Sequence, residues 1–441
     1  MSVAMQFARN IQQFYRRALP AETFERARYA IIDTLGVTLA GSLQPGARKL
    51  RAVIEPTAAA GNSRVFGTDS RLNALDAALL NGIAAHMLDF DDSNSRLHGH
   101  TSVAILPALL ALADERQAPS AAVTQAYITG FEAASRLGDA VGRHQYTHGW
   151  HPTTTIGLFA AVAACSALLE LDESQTATAL SIATALACGI KSNFGSETKP
   201  LGVGHANRNA LLAVKLAQQD FSAGEQAFEH HHGYFKVFNS DAENYDVSPL
   251  VSPWVGEPVL LDRVKGIKQK RFPCCYAILP PLDGVLSLRH EHQLTPASIA
   301  RIIIGVHPIR FPHINVPTPA SPLAAKFSLH YCVARTLENG QLTLDDFIDE
   351  SRFARPDTQR LMQRVTLFQY QRDNIGGAEV SIETHDGRLL TTYIDSAQGS
   401  SYNNPLPPSL NKEKFLQCAT PALGESAALA LYHRLNQGDF A

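Results

Sequence analysis

The sequence predicts a mainly α protein: a large all-helical domain over residues 1–265, completed by C-terminal helices at 401–441, and a smaller α+β lid domain over 266–400. Three observations predict it. From residue 3 to about 240, apolar residues recur three and four apart, the spacing of one helix face, and Ala, Gly and Ser are frequent enough for helices to approach closely. Between 245 and 265, "YDVSPLVSPWVGEPVLLDRV" carries prolines at 249, 253 and 258 and reads as a linker. Beyond it, runs rich in β-branched residues appear.

Taken in order, "MSVAMQFARNIQQFYRRALP" lacks the basic start, apolar core and small-residue cleavage site of a signal peptide, and its pattern suits an amphipathic helix. Helical periodicity continues through "ETFERARYAIIDTLGVTLAGS", "ALDAALLNGIAAHMLD", "SVAILPALLALADER" and "SAAVTQAYITGFEAASRLGDAVG", then "SQTATALSIATALACGI" and "NRNALLAVKLAQQ". The most apolar stretch, "IGLFAAVAACSALLELDE", is uncharged over too short a distance to span a bilayer and reads as a buried helix. In the second domain "ARIIIGVH", "RVTLFQY", "GAEVSIETH" and "RLLTTYID" read as strands, the last two flanking His385, Asp386 and Gly387 as a hairpin. "PLAAKFSLHYCVARTL" reads as a helix between them, and the proline-rich "NNPLPPS" leads to two final helices.

Composition narrows the function. In 441 residues, 45% are hydrophobic and only 18% charged, a balance that suits many buried helices or a large subunit interface. A net charge of -3 without Lys/Arg clusters gives no footprint for nucleic acid or an anionic membrane, leaving small-molecule chemistry. The six cysteines form no CxxC pair, which suggests reduced thiols and a cytoplasmic protein. No GxGxxG follows a strand and no Walker motif occurs, so nucleotide binding has little support.

Residues 86 to 102, "HMLDFDDSNSRLHGHTS", hold three aspartates and three histidines between two apolar runs. Their spacing matches neither an HExxH zinc helix nor an EF-hand loop, so no metal is assigned. Asp91 and Asp92 are either site residues or caps of the next element. Asp89, flanked by Leu88 and Phe90, is expected among apolar side chains, where a carboxylate requires a cationic partner. Other stretches carry unusual polar groups: Tyr146 and His151 in "HQYTHGWHPTTT", Lys199 in "FGSETKPLGVGHANRNA", Lys270 in "KQKRFPCCYAILPP" and Tyr331 in "KFSLHYCVA". Each has a plain structural alternative, such as a hydrogen-bonded histidine, a solvated lysine or a core tyrosine. "EHHHGYF" reads as a surface turn rather than a metal site.

In that order, "DFDDSNSRLHGHTS", "YTHGWHPTTTIGLFAA", "GSETKPLGVGHANRN", "KRFPCCYA" and "KFSLHYCVA" resemble the MmgE/PrpD family across essentially the whole chain. The resemblance implies a helical larger domain, a smaller α+β domain, a site in the cleft between them, a homodimer and no cofactor, with small di- or tricarboxylates as substrates. Carried over by motif, the pocket positions fall on Asp89, Ser93, His100, Tyr146, His151, Lys199, Lys270 and Tyr331. His98 and His100 compete for one of these places. The sequence departs from the family pattern at Gly202, where many relatives have histidine after the TKPL segment, and at Cys275, where the decarboxylase-like members have histidine.

Reactions of this family build charge on a carbon next to a carboxylate, so a base or acid must move a proton while cations neutralise the substrate. Dehydration also needs an acid for the departing hydroxyl, and the missing histidines at 202 and 275 remove candidates. The expectation is therefore an epimerase of an iminodisuccinate-like dicarboxylate. Tyr146 and Lys199 would transfer protons as a pair, His151 would join them in the catalytic set, and Asp89, Ser93, His100, Lys270 and Tyr331 would bind substrate. A lyase of the 2-methylcitrate dehydratase or cis-aconitate decarboxylase type is the alternative. A carboxylate-binding protein without activity and a metal-dependent enzyme using the aspartates are the other classes.

Overall fold

A computed structural model describes residues 1–240, 244–263, 265–400 and 403–440. The chain divides into two compact units, Met1–Gln269 with Asn411–Ala441, and Lys270–Leu410. The expected start of the C-terminal part, at 401, lies outside the described residues.

The first unit is helical. Its centre is the Gly157–Leu168 helix, "GLFAAVAACSAL", in which every residue except the last is buried. The helices Ser102–Arg116 and Ser120–Val141 pack on it; the buried face of the first is mostly Ala, Leu, Ile and Val, and that of the second adds Tyr127, Phe131 and several small or polar residues. Among the described residues no helix is long and apolar enough to cross a membrane. The proline-bearing segment after 245 is not a free spacer. Leu250, Trp254, Val259 and Leu261 are buried in this unit's core, and the Asn10 side chain donates to the carbonyls of Leu250 and Ser252 at 2.8 Å each. Apolar side chains at these positions outweigh the punctuating effect of the prolines, and the division falls at 269/270 rather than 265.

Two contacts fix the helices that carry the site. The Ala74–His86 and Thr198–Ala217 helices cross at Gly82 and Gly204, where a Cβ on Gly82 would lie 2.6 Å from Gly204 Cα and one on Gly204 would lie 2.4 Å from the Leu79 carbonyl oxygen. This backbone-to-backbone approach brings His86 and Lys199, at the ends of the two helices, to one place. Pro107 interrupts the Ser102–Arg116 helix and cannot donate to the Val103 carbonyl four residues earlier. Asn207 replaces that bond: its Nδ2 donates to Val103 O and its Oδ1 accepts from Ala108 N, both at 2.9 Å. A two-residue antiparallel pairing of Ser93 and Asn94 with Lys268 and Ile267 ties the aspartate-rich segment to the end of the unit.

The second unit holds a four-stranded sheet in the order Val365–Gln369, Ile299–Val306, Ala378–Thr384, Leu389–Ile394. Its first pair is parallel and the others antiparallel, with the hairpin turning through 385–388. The helices Leu279–Glu291 and Leu329–Asn339 belong to the same unit and share its core with the sheet. Mainly α with a smaller α+β unit is the architecture.

Gly204→Ala should destabilise the protein by roughly 1–3 kcal/mol, because the methyl group overlaps a backbone that must move. Gly202→Ala, in the same helix, meets only the Thr154 methyl at 3.4 Å and should be neutral or stabilising by about 0.5–1 kcal/mol from helix propensity. Urea unfolding of the two variants checks this; equal effects would remove the helix crossing as the reason.

Candidate active site

The Ala74–His86 helix ends in His86, and the chain then passes through Asp89 in a left-handed conformation, φ 52°. Such a backbone is costly for a residue other than glycine, though Asp tolerates it better than most. The turn aims Asp89 towards the Thr198–Ala217 helix, and Lys199 in that helix's first turn donates to Asp89 Oδ1 at 2.8 Å. The Lys199 ammonium also lies 5.1 Å from the centre of the Phe194 ring. His100 Nε2 stands 3.7 Å from the same Asp89 oxygen.

Asp91 faces the same cluster and is fully buried. His86 Nδ1 and His100 Nδ1 each lie 2.9 Å from its Oδ2. Burial alone would raise this carboxyl, but the charges and N–H groups of His100 and His86 overcome it and hold it well below the usual carboxylate range. His86, fully enclosed, is lowered to about 4, chiefly by burial. His151 caps the short Pro152–Thr155 turn, only 4% exposed, and burial lowers it further, to about 2. The His86 ring is 4.7 Å from that of His100 and 5.8 Å from that of His151, and the Phe194 ring lies against His151 at 5.0 Å. Among the described residues, His86 Nε2 and His151 Nε2 have no protein hydrogen-bond partner, and His100 Nδ1, though 2.9 Å from Asp91 Oδ2, is not aligned for a hydrogen bond with it.

Asp92 does what a cap would do. Its Oδ1 accepts from the backbone N–H of Ser102 at the start of the next helix, 3.2 Å away, and Ser102 Oγ lies 2.7 Å from the Tyr127 hydroxyl. Burial first, and the nearby Asp33 charge, raise Asp92 to about 7.

The fold thus brings Asp89, His100, His151 and Lys199 together. His98 and His100 separate: His98 is half-buried, and its neighbouring charges are Arg143 and Lys265 rather than the aspartates. Ser93 sits in the short strand pairing beside the cluster. Tyr146 packs beneath Lys191, whose ammonium is 3.6 Å from the ring centre and donates to the Tyr146 carbonyl at 3.1 Å, so the expected partner Lys199 is engaged by Asp89 while Tyr146 is engaged by another lysine. Lys270 and Tyr331 belong to the second unit. Tyr331 is fully buried in that unit's core, its hydroxyl donating to the Asp346 carbonyl. Sequence reasoning assigned no role to His86, though a histidine closing the otherwise apolar "ALLNGIAAH" was a signal, and it left Asp91 undecided.

The ring nitrogens and carboxylate oxygens of His86, Asp89, Asp91 and His100 lie within 4.8 Å of one another, close enough to surround a metal ion although their sequence spacing matches no metal motif. Within the group Lys199 pairs with Asp89 and His86 Nδ1 with Asp91 Oδ2, while among the described residues His86 Nε2, Asp91 Oδ1 and His100 Nδ1 have no protein hydrogen-bond partner. His230, His231 and His232 form a second such group on the surface. Chemically, the cluster offers an ammonium held by a carboxylate, an imidazole oriented by another, and two neutral rings with free nitrogens. That is equipment for moving a proton next to a substrate carboxylate.

Comparison with known proteins agrees with the carboxylate chemistry and corrects the reaction class. Human cis-aconitate decarboxylase is 28% identical over 438 residues, covering 96% of this chain and 89% of its own length. Cis-aconitate decarboxylase from Aspergillus terreus is 27% identical, covering 92% and 87%. The 2-methylcitrate dehydratase of Salmonella typhimurium is 24% identical over 345 residues, 74% of this chain and 70% of its own. These are lyases, which overturns the expectation of an isomerase; the inference from the missing histidines had weighed only the acid for a departing hydroxyl. The MmgE/PrpD N-terminal domain matches residues 5–245 and the MmgE/PrpD C-terminal domain residues 272–435, and the chain therefore belongs to the MmgE/PrpD family.

Proposed function

We propose that the protein is a lyase of a small tricarboxylate and that it decarboxylates cis-aconitate or a close analogue. The observation that carries this reading is the Lys199–Asp89 pair set beside the imidazoles of His100, His86 and His151. It is supported by the near full-length similarity to cis-aconitate decarboxylases. In decarboxylation the bond to one carboxylate breaks, carbon dioxide leaves, and the electron pair stays on carbon until an acid delivers one proton. Lys199 is the acid, and Asp89 orients it through a 2.8 Å hydrogen bond. His86 and His151, neutral by burial, hydrogen-bond substrate without adding charge. Dehydration of a 2-methylcitrate-like substrate is the second reading, favoured by the Salmonella relative. It requires a further acid for the departing hydroxyl, and Gly202 supplies no imidazole where many relatives have one, although Cys275 stands where the decarboxylase-like members have histidine. Decarboxylation has no such requirement.

Purified enzyme incubated with cis-aconitate should release carbon dioxide and leave an unsaturated dicarboxylate visible by proton NMR, faster than it forms any alkene from 2-methylcitrate. The reverse preference would replace the decarboxylase reading by the dehydratase one.

Lys199→Ala should lower kcat by at least ~10²-fold, the usual scale for losing a general acid or base, with circular dichroism unchanged. A variant within a few-fold of wild type would remove Lys199 from the proton path.

Acid should weaken the fold through the buried imidazoles. His86 and His151 are lowered to about 4 and about 2, whereas in the unfolded chain they titrate near 6.5. Below that pH the unfolded state binds more protons, so stability is present above about 6.5 and is lost as pH falls towards 4. Each histidine should contribute a loss of about 2 kcal/mol between pH 7 and 5. Urea unfolding at the two pH values measures it, and a His86→Gln/His151→Gln double variant with the same pH dependence would contradict the assignment.

A further inference from the structure

We propose that Lys414, in the C-terminal part of the chain, is a positioning residue that sets the backbone of the Asp89–Asp92 segment and, through it, the two carboxylates that hold Lys199, His100 and His86. The inference deepens the proposed lyase reading and rests on that cluster being the active site.

Lys414 lies in the helix Pro408–Leu423, more than three hundred residues from the segment it touches. Its side chain is 4% exposed, and its ammonium donates to the Phe90 carbonyl at 2.9 Å and meets Asp33 Oδ1 at 2.7 Å. It also lies 4.0 Å from the centre of the fully buried Phe90 ring. The helix reaches this depth because Gly36, one turn beyond Asp33 in the Ala21–Ser42 helix, leaves room for Phe415: a Cβ at 36 would lie 3.1 Å from that ring. Asp33 itself is fully enclosed, so an ammonium among these groups neutralises a charge that could not otherwise stay there.

The position of the acceptor gives the contact its meaning. Phe90 stands between Asp89, which turns outward to Lys199, and Asp91, which turns inward to two imidazoles. A carbonyl held at that point fixes the plane of the peptide joining Phe90 to Asp91. It thereby sets which way Asp91 Oδ2 faces, and with it the nitrogen on which His86 carries its proton and the contact that His100 Nδ1 makes at 2.9 Å. Stability alone could be met by an apolar pair of similar volume. Orientation of the Phe90 carbonyl requires a donor.

The test separates the two roles. In Lys414→Met the buried Asp33 charge loses the ammonium 2.7 Å away and the fold should weaken. In Asp33→Asn/Lys414→Met no charge remains, and thermal stability should return to near that of the wild type. With fold restored, a structural role predicts recovered function, whereas a positioning role predicts kcat still lowered by roughly 10–10²-fold, the scale of a small misplacement of reacting groups. Histidine ¹⁵N NMR provides a readout that needs no substrate. The wild type should show His86, hydrogen-bonded to Asp91 through Nδ1, protonated at that nitrogen, and the double variant should show altered imidazole signals for His86 and for His100 beside it. Asp33→Asn alone keeps the ammonium on the Phe90 carbonyl and should keep the wild-type pattern. The proposal is overturned if the double variant has unchanged imidazole signals, or if Asp33→Asn disturbs them as much as the double variant does. A wild type inactive on every carboxylate tried would count against the lyase reading, while the NMR comparison would still decide the role of Lys414.

Discussion

Much of the first unit's architecture follows from one constraint: a carboxylate taken out of water must be met by donors or positive charge. Three aspartates, Asp33, Asp91 and Asp92, are buried within a few residues' reach of one another. Each is met differently. Asp33 has the Lys414 ammonium, Asp91 has two imidazoles, and Asp92, with a single backbone N–H and a serine–tyrosine pair nearby, shifts towards its neutral form instead. An isolated buried carboxylate would cost several kcal/mol, enough to rival the net stability of a domain. The partners must therefore be delivered by the fold, from helices that begin or end at this place.

That requirement explains why small residues matter where they do. His86 is delivered by a helix end and Lys199 by a helix start, and the two can be neighbours only because Gly82 and Gly204 let the backbones touch. Lys414 is delivered by a third helix that comes close because position 36 is glycine. Asn207 repairs the helix broken by Pro107, and so keeps straight the element that begins at Ser102, against which Asp92 is set. The polar cluster and the alanine-rich packing are thus two sides of one arrangement.

How much of this was legible follows the range of the interactions. Helical periodicity is local, so the helical unit could be read from "GLFAAVAACSAL" and its neighbours, and the hairpin from β-branched runs around His385–Gly387. The segment after 245 misled because proline is a local signal, while the burial of Trp254 is a property of the whole unit. At the site, the motifs drew attention to Asp89, His100, His151 and Lys199, which the fold gathers. They were silent on His86, whose role depends on a carboxylate five residues away facing inward, and on Lys414, whose partner lies 324 residues earlier. Tyr331 shows the opposite failure: a polar group in a motif whose hydroxyl is satisfied by its own core.

The charge balance of the cluster bears on its chemistry. Asp89 and Asp91 bring two negative charges, Lys199 brings one positive charge, and His86 and His151 are held neutral by burial. A site for a tricarboxylate built of these groups alone would repel its ligand. The aspartates therefore pair with the protein's own groups, Asp89 with Lys199 and Asp91 with His86, and under the proposed lyase reading substrate charge would be met by Lys199 together with further cations. A single ammonium that both attracts a carboxylate and can release a proton suits a reaction that loses carbon dioxide, because departure of the neutral product leaves the electron pair on carbon at the moment the proton is needed.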